Sequence, residues 1–171
     1  MKVTRLFDLL DHYKETFPDK EVALSCKREG KWINYSVNQY VEQANYVSSA
    51  LLKLGVKKDD KIAIISSNRP EYNILDMGIM QIGAITVPIY PTISEADCDY
   101  ILNHAEVKYV FSEGEELLRK IEHILPTVPT LKGIYTFVDR GRHHYLSQLL
   151  EDGKKNLDLE ALAKIKSEVT P

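Results

Sequence analysis

The chain has little of what common cofactor and metal signatures require. Its 171 residues include only two cysteines, Cys26 and Cys98, without CxxC spacing, which indicates neither a disulfide framework nor a zinc site. No apolar run approaches the roughly 18 residues that cross a bilayer, and the N-terminus lacks the apolar core of a signal peptide. The sequence therefore predicts a soluble, cytoplasmic protein with reduced thiols.

The sequence also lacks a large excess of positive or negative charge. Lysine and arginine together number 22 against 25 acidic residues, the net charge is −3, and the basic residues are scattered. Nucleic-acid binding needs a clustered basic surface, so we expect no nucleic-acid partner. The hydrophobic content of 44% and charged content of 27% are typical of a globular domain that buries a sizeable core.

Residues 1–35 carry the pattern of one helix and a β-hairpin. Thr4 is a candidate N-cap for a helix that stops at Phe17, because the residue before a proline is pushed out of the helical region. Residues 22–24 and 32–35 are rich in strand-forming types, and the polar, glycine-bearing stretch 27–31 between them is typical of a hairpin connection.

Residues 36–140 alternate between strand and helix patterns. Ser36 and Gln39 form a capping box for a long helix that ends at Gly55. The stretches 61–66, 85–89, 107–111 and 134–138 read as buried strands separated by helices of ten to fifteen residues. This alternation predicts βαβ units, and hence an α/β three-layer sandwich with a largely parallel sheet.

Two details complete the predicted architecture. Pro88 removes a ladder donor, so strand 85–89 should lie near an edge of the sheet, although its apolar residues suggest cover on both faces. Residues 141–171 show two amphipathic helices and no further strand, which predicts a helical tail.

Few residues could carry chemistry. Parallel sheets bind ligands beyond the carboxyl ends of their strands, which directs attention to loops 66–69, 90–94 and 112–114. These loops have at most one glycine each, so they form no P-loop or GxGxxG turn. Asn68 and Arg69 could hold an anion at a helix N-terminus, but a capping role for Asn68 is favoured. We predict no catalytic residue and no metal site in this chain.

Several stretches, taken in order, resemble the AMP-binding family of adenylate-forming acyl-CoA synthetases. The last of them, QIGAITVPIYPT, resembles the second core motif of that family, and the succession covers nearly the whole chain. The stretches are TRLFDLL (4–10), FPDKEVAL (17–24), INYS (33–36), DKIAI (60–64), SNRPEY (67–72) and QIGAITVPIYPT (81–92).

The resemblance implies a specific role. It identifies residues 1–171 as the first subdomain of the large domain of a long-chain fatty acid:CoA ligase, which activates a fatty acid as acyl-AMP with ATP and Mg²⁺ and transfers it to CoA. In the family the ATP loop begins shortly after the position of Pro171. The chain alone is therefore expected to be inactive and to bind none of these cofactors. Asn68, Tyr90 and Thr92 are expected to line the acyl and CoA cleft.

The resemblance leaves other possibilities open. The full-length enzyme is expected to associate peripherally with membranes, and apolar surface left uncovered on this chain predicts a homodimer. One alternative is a flavodoxin-like ligand-binding module, for which Ser66, Ser67 and Asn68 would supply the loop after the first strand. Another is the N-terminal part of an aryl- or amino-acid-adenylating enzyme, because acyl specificity is set mainly further along the family's sequence.

Overall fold

The computed structural model describes residues 3–170, in which helices and strands alternate as the sequence predicts. The elements are α1 (Asp8–Thr16), β1 (Leu24–Arg28), β2 (Lys31–Tyr35), α2 (Val37–Lys53), β3 (Lys61–Ile65), α3 (Pro70–Gln81), β4 (Ile85–Ile89), α4 (Glu95–His104), β5 (Tyr109–Ser112), α5 (Gly114–Ile124), a 3₁₀ turn (Leu125–Thr127), β6 (Gly133–Thr136), β7 (His144–Tyr145), α6 (Leu146–Lys155) and α7 (Leu159–Glu168).

The central sheet has the strand order β4-β3-β5-β6-β7, and every pairing in it is parallel. Because side chains alternate along a strand, Ile62 and Ile64 of β3 face one hydrophobic cluster while Ala63 and Ile65 face another. The first cluster includes residues of α1, α2, α3, α6 and α7, and the second includes residues of α4 and α5. The predicted three-layer α/β sandwich is confirmed.

Strand β4 lies at one end of this sheet, which confirms the prediction from Pro88. The Ile85 N–H donates to the carbonyl of Asp60, 2.8 Å away, so the odd-numbered residues of β4 turn their backbone groups toward β3. Pro88 therefore faces the free edge, where its missing N–H leaves one donor fewer for an approaching strand. The prediction of cover on both faces is wrong, since Ile85 is 44% exposed.

The N-terminal elements are shifted relative to their predicted positions. Helix α1 begins at Asp8, and Thr4 does not cap it; the Thr4 backbone N–H instead donates to the Asp8 carboxylate at 3.0 Å. Strand β1 runs over Leu24–Arg28 rather than 22–24. The hairpin is closed by only two residues, Glu29 and Gly30, which both have positive φ angles, as a tight primed turn requires.

The C-terminal part contains an additional strand. The two residues of β7 pair in parallel with β6, so the prediction of no strand after residue 141 is wrong. A strand of two residues is too short to produce a periodic signal. Helix α6 follows directly and packs along α2 at Gly153, where a β-carbon added to the glycine would lie 2.6 Å from the Tyr46 carbonyl carbon. None of the helices within residues 3–170 is long and apolar enough to cross a membrane.

Candidate cleft at the carboxyl edge of the sheet

The chain direction of the sheet creates a switch point between β3 and β5. From β3 the chain crosses to β4 on one side, and it returns to β5 on the other side. Loops that follow neighbouring strands separate at such a point, and ligands of open α/β sheets bind in the resulting crevice. Here the two loops are residues 66–69 and the short connection at Glu113.

Glu113 fills this crevice with its own carboxylate. Its Oε2 accepts the backbone N–H of Ser67 at 2.7 Å, and its Oε1 accepts a hydrogen bond from the Arg69 guanidinium at 3.3 Å. The Arg69 guanidinium also lies 4.3 Å above the centre of the Phe137 ring. The position that an anionic ligand would take at the switch point is thus occupied by a side chain of the protein.

A second carboxylate extends this ion network to the hairpin. Glu71 in the first turn of α3 accepts hydrogen bonds from Arg69, at 3.0 Å, and from Arg28 of β1. Burial by itself would raise the pKa of Glu71, but the hydrogen bonds from Arg69 and Arg28 outweigh it and lower the pKa. Glu71 is therefore ionised at neutral pH, and the two arginines bind carboxylates of the chain itself.

The hypothesis about the start of α3 needs correction. The N-cap position is Arg69, not Asn68, and its side chain makes no capping hydrogen bond. Pro70 occupies the first helical turn, where its missing N–H would have had no partner. With Arg69 held by Glu71 and Glu113, this helix start offers no free guanidinium to an anion.

A cleft of about 330 Å³ opens beside this network, at the carboxyl ends of β3 and β4. The structure places Asn68 and Tyr90 together in its wall, and the Tyr90 side chain is 85% exposed. Thr92 lies outside the lining. The full set of lining residues is Ser66, Asn68, Tyr72, Pro88, Ile89 and Tyr90.

Four lining residues, Ser66, Tyr72, Pro88 and Ile89, were not predicted from the sequence, and Tyr72 is the largest of them. The spacing of Tyr72 predicts that it belongs to the apolar stripe of α3. Its position in the first helical turn after loop 66–69 is the sequence signal that could have predicted its place in the cleft. Burial, and secondarily the Asp76 carboxylate, raise the pKa of Tyr72, so its hydroxyl stays protonated and can donate a hydrogen bond. The cleft thus combines hydroxyl and amide groups with the apolar surfaces of Pro88 and Ile89.

The lining of this cleft consists of hydroxyl, amide and apolar side chains. Its six lining residues include no carboxylate, imidazole, thiol or amine that could act as nucleophile or base. Within residues 3–170 no three His, Cys, Asp or Glu side chains are grouped as metal ligands. The loops at this edge also lack the several glycines that bring backbone N–H groups together around a phosphate, and Arg69 is paired with Glu71.

These features define a class of protein: a parallel α/β domain with a cleft at the carboxyl edge of its sheet. The fold is that of the N-terminal domain of adenylate-forming enzymes. A long-chain-fatty-acid–CoA ligase from Archaeoglobus fulgidus superposes with a TM-score of 0.75 at 19% identity, over 90% of this chain and 31% of that one. A benzoate CoA ligase from Burkholderia xenovorans gives a TM-score of 0.69 at 16% identity, over 87% and 28%.

The sequence comparison then gives the family. The family model described as AMP-binding enzyme matches residues 10–168, and the chain belongs to this family. It is 32% identical over 136 residues to a long-chain-fatty-acid–CoA ligase of Homo sapiens, covering 79% of this chain and 18% of that protein. It is 35% identical over 113 residues to the fatty acyl-CoA synthetase A of Dictyostelium discoideum, covering 66% and 17%. The chain thus spans less than a fifth of the length of these relatives.

Family membership excludes one of the two alternatives from the sequence, the flavodoxin-like module. The sheet order would suit a flavodoxin-like module, since doubly wound folds of that kind share it. The match over residues 10–168 instead assigns the chain to the AMP-binding enzyme family, which leaves the second alternative, an aryl- or amino-acid-adenylating enzyme, open.

Proposed function

We propose that this chain is the N-terminal part of a long-chain fatty acid:CoA ligase. The whole protein would activate a fatty acid as acyl-AMP with ATP and Mg²⁺ and pass the acyl group to CoA. Support for the fatty acyl substrate comes from the relatives at 32% and 35% identity, both of which are named for fatty acyl activation. Ligases of aromatic acids share the fold, so a substrate panel of palmitate and benzoate is the direct test in the whole enzyme.

The observation on this chain that supports the proposal is the position of the cleft beyond the carboxyl ends of β3 and β4, where open α/β sheets bind their ligands. We infer that Asn68 and Tyr90 contact the acyl or CoA part of the substrates, and that Thr92 contributes from the loop that follows β4. In the whole enzyme, Tyr90→Ala should raise a substrate KM, with a loss in kcat/KM of about tenfold, or ~1.4 kcal/mol.

Tyr100→Ala is the matched control for this experiment. Tyr100 is likewise an exposed tyrosine, at 65%, but it lies on α4 and stacks on His104 outside the cleft. An unchanged kcat/KM in Tyr90→Ala, or an equal loss in Tyr100→Ala, would contradict the role assigned to Tyr90.

We also propose that the 171-residue chain does not catalyse adenylation by itself. The residues within 3–170 include neither a glycine-rich phosphate loop nor a group of three metal-ligating side chains. Incubation of the 171-residue chain with palmitate, ATP and Mg²⁺ should release no pyrophosphate above background, and calorimetry should detect no binding of ATP or CoA. Formation of acyl-AMP by the isolated chain would overturn this proposal.

The cellular location, self-association and membrane association of the protein are also proposals. We expect cytoplasmic residence, which is compatible with the two unpaired cysteines. Exposed apolar side chains such as Trp32, at 67%, and Ile85, at 44%, favour self-association of the chain. A strictly monomeric elution at high concentration in size-exclusion chromatography would argue against a homodimer, and vesicle flotation would test peripheral membrane association of the whole enzyme.

A further inference from the structure

A second cavity lies away from the carboxyl-edge cleft, between α1, β1, α2 and α3. Its volume is about 290 Å³, and none of its lining residues lines the cleft. This size is near the lower end of the range typical of small-molecule sites, roughly 300–1,000 Å³. The lining residues are Leu9, Tyr13, Phe17, Lys20, Ala23, Leu24, Val37, Tyr40, Asn73 and Met77.

The cavity is mostly apolar. Val37 and Tyr40 of α2 are 1% and 4% exposed, so they form part of the main hydrophobic cluster. Leu24 and Met77 are half-buried and pack against the same cluster from β1 and α3. An apolar group entering this space would be removed from water on several sides, which is worth roughly 25 cal/mol for each Å² of apolar surface buried.

One cation belongs to the lining. Lys20 is exposed, and its ammonium lies 5.7 Å from the centre of the Phe17 ring. Within residues 3–170 no carboxylate forms an ion pair with it. Lys20 is therefore available to an anionic group, whereas cations such as Arg28, Arg69 and Lys108 are already paired with carboxylates.

The buried end of the cavity carries no charge. Lys20 is the only charged residue of the lining, while Val37 and Tyr40 at the other end are buried. Burial is the main cause that raises the pKa of Tyr40, so its hydroxyl stays protonated at neutral pH. An anionic head group is therefore attracted to Lys20 and an apolar tail to the buried end, which gives the cavity a polar direction.

We propose that this cavity binds a small amphiphilic monocarboxylate, with the carboxylate against Lys20 and the apolar tail against Val37 and Met77. The volume accommodates roughly ten non-hydrogen atoms, taking roughly 30 Å³ as the share of one water-sized group. Octanoate, with eight carbons and two oxygens, has this size. The site is independent of the proposed acyl and CoA cleft, since the two share no lining residue.

Calorimetric titration of the 171-residue chain with octanoate, 1-octanol and octylamine tests the proposal. Octanoate should bind most tightly, 1-octanol more weakly, and octylamine least. Lys20→Gln should weaken octanoate about fivefold, as loss of a partly exposed ion pair does, and leave 1-octanol unchanged. Lys20→Arg should restore octanoate binding. Lys31→Gln, an exposed lysine on β2 that lies in neither lining, is the control and should change nothing.

A substitution that fills the cavity tests whether octanoate binds there. Ala23→Phe should abolish binding of octanoate and 1-octanol, with circular dichroism and thermal unfolding used to verify that the variant is folded. Tyr100→Ala should leave octanoate binding intact, because Tyr100 lies on α4 and lines neither the cavity nor the cleft. Equal binding of octanoate and octylamine, insensitivity to Lys20→Gln, or no octanoate binding at millimolar concentration would each overturn the proposal, whatever the outcome of the ligase assays.

Discussion

Replacement of Gly153 by alanine tests the close packing of α6 on α2. Gly153 is buried in α6, and a β-carbon there would lie 2.6 Å from the carbonyl carbon of Tyr46 and 2.9 Å from its α-carbon. Both atoms belong to the backbone of α2, so no side-chain rotation can relieve the contact. The two helices must separate to admit the methyl group.

Two opposing effects set the size of the expected loss. Alanine is a better helix former than glycine, which by itself stabilises a helix interior by about 1 kcal/mol. Overpacking of a well-packed core costs about 1–3 kcal/mol and more when the backbone has to move. Because the added carbon would meet backbone atoms well inside van der Waals distance, the upper end applies, and we expect a net destabilisation of ~2 kcal/mol.

Thermal unfolding measures this loss directly. For a chain of this length, ~2 kcal/mol corresponds to a decrease in Tm of roughly 4–8 °C. Glu151→Ala is the matched control, because Glu151 is exposed on the same helix and its replacement should change stability by less than about 0.5 kcal/mol. An unchanged or higher Tm in Gly153→Ala would refute the packing of α6 against α2.

Three further predictions concern buried polar groups and thiols. Burial would raise the pKa of Asp8, but hydrogen bonds from Arg5 and Thr4 outweigh it and hold the pKa well below its usual range. The stabilisation by the ionised Asp8 is therefore complete above about pH 4 and is lost as the pH falls below it. In urea unfolding, Asp8→Asn should be ~2 kcal/mol less stable than the wild type near neutral pH, and this difference should be smaller in acid. A difference in stability that does not change with pH would contradict this account. Glu71→Gln should lower the free energy of unfolding by ~2 kcal/mol and increase hydrogen exchange in β1, which Arg28 joins to Glu71. Glu116→Gln is the control, because Glu116 pairs with Lys120 on an exposed helix face, and it should change the free energy of unfolding by less than about 0.5 kcal/mol. Burial raises the pKa of the Cys98 thiol to about 11, so a disulfide reagent should label Cys26 in the native protein and reach Cys98 only after unfolding; equal labelling rates would show that Cys98 is accessible.

Features that depend on neighbouring residues could be predicted from the sequence. The capping box of α2 is present, with the Gln39 N–H donating to Ser36 Oγ at 3.2 Å and the Ser36 N–H donating to Gln39 Oε1 at 2.9 Å. Pro70 is in the first turn of α3, and Pro88 lies on the sheet edge. Such signals need contacts only within a few positions along the chain, and a proline excludes a backbone donor wherever it stands.

The sequence patterns were less informative where several weak signals compete. Thr4 has the chemistry of an N-cap, yet its N–H and hydroxyl groups donate to the buried carboxylate of Asp8 four positions later. The apolar run of β4 suggested burial on both faces, but its position at the end of the sheet leaves Ile85 partly uncovered. Composition records how apolar a strand is, and only the strand order decides what covers it.

By itself the sequence determined the alternation of strands and helices, the parallel α/β class and the resemblance to the adenylate-forming ligases, because periodicity and short motifs are local properties. Only the tertiary structure decided how the carboxyl edge is built. Glu113 is hydrogen-bonded to Ser67 and Arg69 because β5 lies beside β3, and Asn68 and Tyr90 line one cleft because β4 lies on the other side of β3. These contacts join residues more than twenty positions apart, so they depend on the order of the strands in the sheet, which no local pattern specifies.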